Sequence, residues 1–176
     1  MGDFEKAFER TLKNEGGYKL TDDPDDRGGM TYAGIARNRW PGWEGWPLVL
    51  ERSDHPSLAR LVREFYRENF WNRIHGDAIL HQGIAEQIYD FAVNAGVATA
   101  VKLVQLIVGV TPDGAMGPKT LGALNEQVTL KISAADVFDE RLAVAKLARY
   151  AAIADRDASQ RQYVRGWLNR TLAGVG

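Results

Sequence analysis

One stretch near the front of the chain cannot be helical, and it divides what remains. Asp22-Asp23-Pro24-Asp25-Asp26-Arg27-Gly28-Gly29 is dense in residues that favour turns. Short β-friendly pieces flank it, Tyr18-Lys19-Leu20-Thr21 and Met30-Thr31-Tyr32, so the pattern predicts a small hairpin or open loop. Elsewhere the apolar residues recur with helical period. Phe4, Ala7, Phe8, Thr11 and Leu12 line one face, and Gly16-Gly17 stops that helix in a left-handed C-cap. A Gly/Pro loop follows at 39–47. Leu58, Leu61, Val62, Phe65 and Tyr66 mark a helix beginning after Asp54 or Pro56, and Ile84, Ile88, Phe91 and Ala92 mark another over 84–94. A third runs over 98–108 and ends at Gly109; Gly117-Pro118 then puts proline at the start of a short helix. Ser133-Ala134-Ala135-Asp136 has the form of a capping box opening a long helix to about residue 153, and a last helix covers 160–172. The expected class is mainly α, with a small β excursion at the front.

At 176 residues the chain is long enough for a full core, and 45% hydrophobic with 26% charged residues is globular composition. A formal charge of −1 argues against binding nucleic acid over the whole surface. The chain contains no cysteine, which excludes disulfides, thiol nucleophiles and Cys-ligated zinc. No apolar run reaches the ~18 residues of a membrane span, so no stable membrane insertion is expected. The charged opening MGDFEKAFERTLKNEGG lacks the apolar centre of a secretory signal, and Lys6 argues against myristoylation. The expectation is synthesis in the cytoplasm, with any action elsewhere depending on release by another agent.

Glu15 is the most informative residue. Eleven positions after Phe4, it sits about 20° from that residue around the helix, at ~100° per position. It therefore extends the buried stripe and lies at a helix C-terminus, where the macrodipole disfavours negative charge. Both effects favour the protonated acid, which suits a general acid; the alternative is a Glu that bends to solvent at a frayed helix end. Asp26 lies eleven residues on, in a turn that can bring a second carboxylate opposite the first, as glycoside hydrolysis requires. Thr31 could orient a water. The competing reading makes these aspartates plain turn formers. A calcium loop fits poorly, because Arg27 and Gly34 stand where ligands belong.

Glu15-Gly16-Gly17-Tyr18, then Asp23-Pro24-Asp25-Asp26-Arg27-Gly28-Gly29-Met30-Thr31, then Gly34-Ile35, resembles the signature of glycoside hydrolase family 108, lysozyme-like N-acetylmuramidases of phage endolysins and bacterial secretion-activator proteins. Tyr89-Asp90-Phe91-Ala92-Val93-Asn94-Ala95-Gly96 resembles the family's internal helix. Gln105 with Asp113-Gly114-Ala115-Met116-Gly117-Pro118-Lys119-Thr120 is similar to the predicted peptidoglycan-binding segment that usually follows. Arg27, where proline is common, and the Trp-rich insertion at 40–46 depart from the pattern. Glu15 matches the family's catalytic glutamate, and Asp26, rather than Asp25, aligns with the Asp before Gly-Gly.

The resemblance implies a lysozyme-like helical globule with a β-hairpin region beside an active-site cleft. It implies hydrolysis of the β-1,4 bond between N-acetylmuramic acid and N-acetylglucosamine, with Glu15 as acid, Asp26 and Thr31 assisting, and no cofactor. The partner would be peptidoglycan glycan strands, met by a monomer in the periplasm or cell wall after holin-type release, for host lysis. A lytic transglycosylase and a non-catalytic, secretion-assisting wall-binding protein are the rival readings. Residues 1–83 would form the catalytic part and 84–176 the binding part; the apolar stripes run on without a linker, so both are expected in one globule.

Trp40, Trp43 and Trp46, at three-residue spacing, invite a sugar-stacking role or else a place in the core. Tyr18 and Tyr32, flanking the acidic loop, have the same two readings, and the substrate-binding candidates are Tyr18, Tyr32, Trp40, Trp46 and Asn94. Asn94 is either a satisfied buried amide or part of a cleft floor. His55, His75 and His81 show no metal-ligand spacing. From Arg141 onward seven basic residues face two acidic ones, a +5 balance that reads as solvated helix faces or as attraction to an anionic envelope.

Overall fold

The computed structural model describes residues 1–22, 29–129 and 134–172. Asp25, Asp26, Arg27 and Ser133 fall outside them. The chain divides into two compact units, Asp3–Asn72 and Met1–Gly2 together with the chain from Arg73 onward.

The first unit opens with α1, Phe4–Asn14. Asp3 caps it, its carboxylate accepting from the Glu5 N–H at 3.0 Å, and Glu5 and Lys13 complement the dipole at its two ends. Its buried face carries Phe4, Ala7, Phe8 and Thr11. A three-stranded antiparallel meander follows: β1 Leu20–Thr21, β2 Thr31–Tyr32 and β3 Ile35–Ala36, in the order β1-β2-β3. The register pairs Leu20 with Tyr32 and Tyr32 with Ile35. The third strand was not foreseen; a run of only two residues carries no readable periodicity. α2 spans Trp46–Glu51, with Pro47 in its first turn, and it too was hidden within a Gly/Pro loop.

α3 spans Leu58–Tyr66 and buries Leu58, Leu61, Val62, Phe65 and Tyr66, the predicted face. It runs on as a π-helical turn over Arg67–Trp71. Aromatic rings then join the ends of this unit. Phe4 lies 5.4 Å from Phe8 and 5.8 Å from Trp71, and Phe8 lies 5.7 Å from Tyr66, all centroid to centroid.

The second unit takes in the first two residues: the Met1 ammonium donates to the Leu80 carbonyl and the Gly2 N–H to the Ile79 carbonyl, each at 2.8 Å. It contains α4 Gln82–Ala95, α5 Val97–Val108, α6 Pro118–Thr129, α7 Ala134–Arg156 and α8 Val164–Leu172. α4 packs on α5 and α7 and buries Ile84, Ile88 and Phe91, the last with its ring edge-on to Tyr150 of α7. Gln105 on α5 organises the turn before α6: its amide donates to Asp113 at 2.7 Å and to Thr120 at 3.1 Å, and its oxygen accepts from the Gly114 N–H at 2.9 Å. Lys146 on α7 is buried, its ammonium donating to the Gln87 side chain at 3.1 Å while the Gln87 amide reaches Asp139. The single helix expected over 160–172 is broken. Asp157 accepts from the Ser159 N–H at 2.9 Å and starts a 3-10 segment over Ala158–Tyr163 before α8 begins.

Candidate active site

Glu15 owes its position to the two glycines after it. The Gly17 N–H donates to the Leu12 carbonyl at 2.9 Å and the Gly16 N–H to the Lys13 carbonyl at 3.2 Å. These are the paired bonds of a Schellman termination, and Gly16, at φ +89°, takes the left-handed residue that motif needs. The helix therefore ends with Glu15 as its C-cap, partly buried, on the side that carries Thr11 and Phe8.

The β2–β3 turn stands against it. Its two central residues, Ala33 and Gly34, both have positive φ, +49° and +79°, the signature of a type I′ hairpin. Ala33 is fully buried in this unusual conformation, and the surrounding bonds hold it there. Its N–H donates to the Lys19 carbonyl at 3.0 Å, and its carbonyl accepts from the buried Tyr66 hydroxyl at 2.9 Å. Gly34 brings three elements together. A Cβ added there would lie 2.5 Å from the Tyr66 hydroxyl and 3.1 Å from both Glu15 Cβ and Glu15 Oε2. Glu15 from α1, the hairpin turn and Tyr66 from α3 thus meet at one backbone position that admits no side chain.

The other sequence candidates divide. Thr31 stands on β2, partly buried, its hydroxyl donating to the Gly29 carbonyl at 3.1 Å. Asp26 lies outside the described residues. Tyr18 is 47% exposed beside the meander, a surface available to a ligand. Tyr32 corrects an expectation: it is 2% exposed, its hydroxyl donates to the Ser53 carbonyl at 3.1 Å, and burial raises its phenol above the ordinary value. Trp46 is corrected likewise, being 3% exposed with its indole N–H donated to the Trp40 carbonyl at 2.7 Å. Both fill the core because alternation and α2 turn them inward, so neither offers a face to a sugar. Trp40 and Trp43 stay partly exposed. Asn94 on α4, in the second unit, is partly buried rather than fully enclosed in the core. Tyr66 was legible only as an apolar-face residue; the signal missed was that a buried tyrosine hydroxyl needs a partner.

Among the described residues no group of three or more His, Asp or Glu could hold a metal, and no helix is long and apolar enough to cross a membrane. The sequence pattern of the family described as Glycosyl hydrolase 108 matches residues 8–96, half of the chain, and includes Glu15, Gly34 and Tyr66. The chain belongs to that family. A second pattern, described as Predicted Peptidoglycan domain, matches residues 99–172. Among solved structures, one titled "Structure of Brucella abortus SagA" is 33% identical, covering 98% of this chain and 95% of that one, with a TM-score of 0.68. No curated protein matches. The glycosyl hydrolase 108 match runs past the boundary between the two units and takes in α4, so the family pattern and the compact units divide the chain at different points. A peptidoglycan-related, lysozyme-like function follows, exercised at the cell wall or in the periplasm.

Proposed function

We propose that the protein is an N-acetylmuramidase that hydrolyses the β-1,4 bond between N-acetylmuramic acid and N-acetylglucosamine, as in endolysin-type host lysis after holin-type release. The observation that carries this reading is Glu15, a helix-terminal, partly buried carboxyl standing against a rigid hairpin turn within the residues matched by the family. Its proton goes to the glycosidic oxygen as the C–O bond breaks. Asp26 assists the attacking water or the developing cationic centre, and Thr31 helps place that water. The work is done by a monomer, without a cofactor.

The test is incubation of the wild type and Glu15→Gln with purified peptidoglycan, followed by mass spectrometry of the released muropeptides. Hydrolysis gives reducing N-acetylmuramic ends, whereas a lytic transglycosylase gives anhydro ends. Glu15→Gln is expected to keep its circular dichroism and to lose at least about 10²-fold in turnover, as for a missing general acid. Near wild-type cleavage by that variant removes Glu15 from the mechanism. Absence of any product from the wild type, with its biological effect surviving Glu15→Gln, supports a non-catalytic wall-binding protein.

A further inference from the structure

The Trp-rich insertion builds a second feature, separate from the Glu15 constellation. Within the first unit a hollow of about 440 Å³ is walled by Trp40, Trp43 and Phe65; Glu15, Gly34 and Tyr66 are not in its lining. The rings meet at steep angles, 90° between Trp40 and Phe65 and 66° between Trp43 and Phe65, with centroids 4.8 Å and 6.2 Å apart. Such walls make a box rather than a shelf. A flat pyranose needs a broad parallel face, whereas a compact cation takes ring faces from several directions at once.

The polar groups of the lining point the same way. Arg60 clamps Glu64 through both carboxylate oxygens, at 2.7 Å and 2.6 Å, so that charge is compensated. Glu44 and Glu68 have no cation within ion-pair distance among the described residues, and neither does Arg39 have a carboxylate. Asn69 donates its amide to the Phe65 carbonyl at 2.9 Å, which leaves its side-chain oxygen as an acceptor. The hollow therefore holds two uncompensated carboxylates, an amide oxygen and one guanidinium around an aromatic box.

We propose that this hollow binds the zwitterionic head of an amino acid carried on an aliphatic stem. The ammonium sits in the aromatic box against Glu44 and Glu68, and the carboxylate pairs with Arg39. Resting on the peptidoglycan reading above, the source is the free end of a diamino acid in the stem peptide. The site would then read the peptide while Glu15 acts on the glycan.

The experiment follows the tryptophan indole N–H resonances of the intact protein by NMR. The probes are synthetic stem tripeptides ending in diaminopimelate, in lysine, and in Nε-acetyl-lysine. The diaminopimelate peptide is expected to shift the Trp40 and Trp43 signals saturably, the lysine peptide more weakly, and the acetylated peptide at least about tenfold more weakly than lysine, as befits a lost charge-assisted hydrogen bond. Glu44→Gln/Glu68→Gln should weaken both amine-bearing peptides by a similar factor, and Arg39→Gln should erase the preference for diaminopimelate over lysine. Equal binding of the acetylated peptide, or shifts at other tryptophans only, overturns the proposal. Because the readout is binding, it separates from the catalytic reading: loss of peptide binding with intact glycan cleavage sinks this proposal alone, and binding without cleavage sinks the other.

Discussion

At the scale of single residues, Gly34 and Tyr66 are where small changes report on the Glu15 constellation. Alanine at Gly34 must adopt a left-handed conformation that disfavours a Cβ by roughly 1–2 kcal/mol, and its methyl would press on the Tyr66 hydroxyl and the Glu15 carboxylate. Tyr66→Phe leaves the buried Ala33 carbonyl without its 2.9 Å donor, a loss of about 1–3 kcal/mol. Urea midpoints should show both costs. Turnover should fall further in Gly34→Ala than in Tyr66→Phe, because only the former displaces Glu15 directly; the reverse order would mean that the turn does not position the acid. In the acidic loop, Asp26→Asn should reduce muropeptide release more than Asp25→Asn. Equal activities would leave the loop acids as turn formers.

At the scale of elements, the link between α5 and the turn before α6 has a pH signature. Two hydrogen bonds, from the Ala115 N–H at 2.8 Å and the Gln105 amide at 2.7 Å, stabilise the charged form of Asp113 and hold its pKa below the ordinary carboxylate value. The unfolded chain then takes up this proton first as pH falls. The stabilisation is fully present above about pH 5 and is lost as pH drops through the ordinary carboxylate range toward the lowered value. Asp113→Asn should melt below the wild type at neutral pH, and the gap should narrow as pH falls below about 5. A gap independent of pH would mean that the carboxylate charge contributes nothing to this turn. The motif Asp113-Gly114 thus has a mechanical reading in the hub around Gln105.

At the scale of the whole molecule, the connectivity makes separate folding of the front part unfavourable. Met1 and Gly2 are bonded to Leu80 and Ile79 of the second unit, and the chain returns to that unit at Arg73. The 70 residues between, Asp3–Asn72, are thus tethered at both ends, and a body of that size buries only a modest share of its surface. Calorimetry should give one cooperative transition for the intact protein, and residues 1–83 expressed alone should be unfolded or aggregated. The reason differs in part from the one the sequence suggests: α4 packs on α5 and α7, and a cut after residue 83 parts residues 1–2 and 73–83 from the rest of their own unit. Two separated melting steps, or a soluble active 1–83 fragment, would show independent domains.

The sequence by itself determined the long elements and the motif residues. α1, α3 and α4 were legible because apolar residues repeat with helical period, α5 because glycines bound it, α7 because a capping-box pattern opens it, and Glu15-Gly16-Gly17 because a left-handed helix stop has its own chemistry. Tertiary structure alone decided what two-residue strands, a buried hydroxyl and an interrupted last helix would do, since such short features lack the repetition from which a period is read. It turned Tyr32 and Trp46 inward, brought Tyr66 from α3 to the carbonyl of Ala33, and stood Glu15 beside Gly34. The Glu15–Gly34 and Tyr66–Ala33 contacts join residues 19 and 33 positions apart in the chain, and no local pattern encodes a meeting at that range.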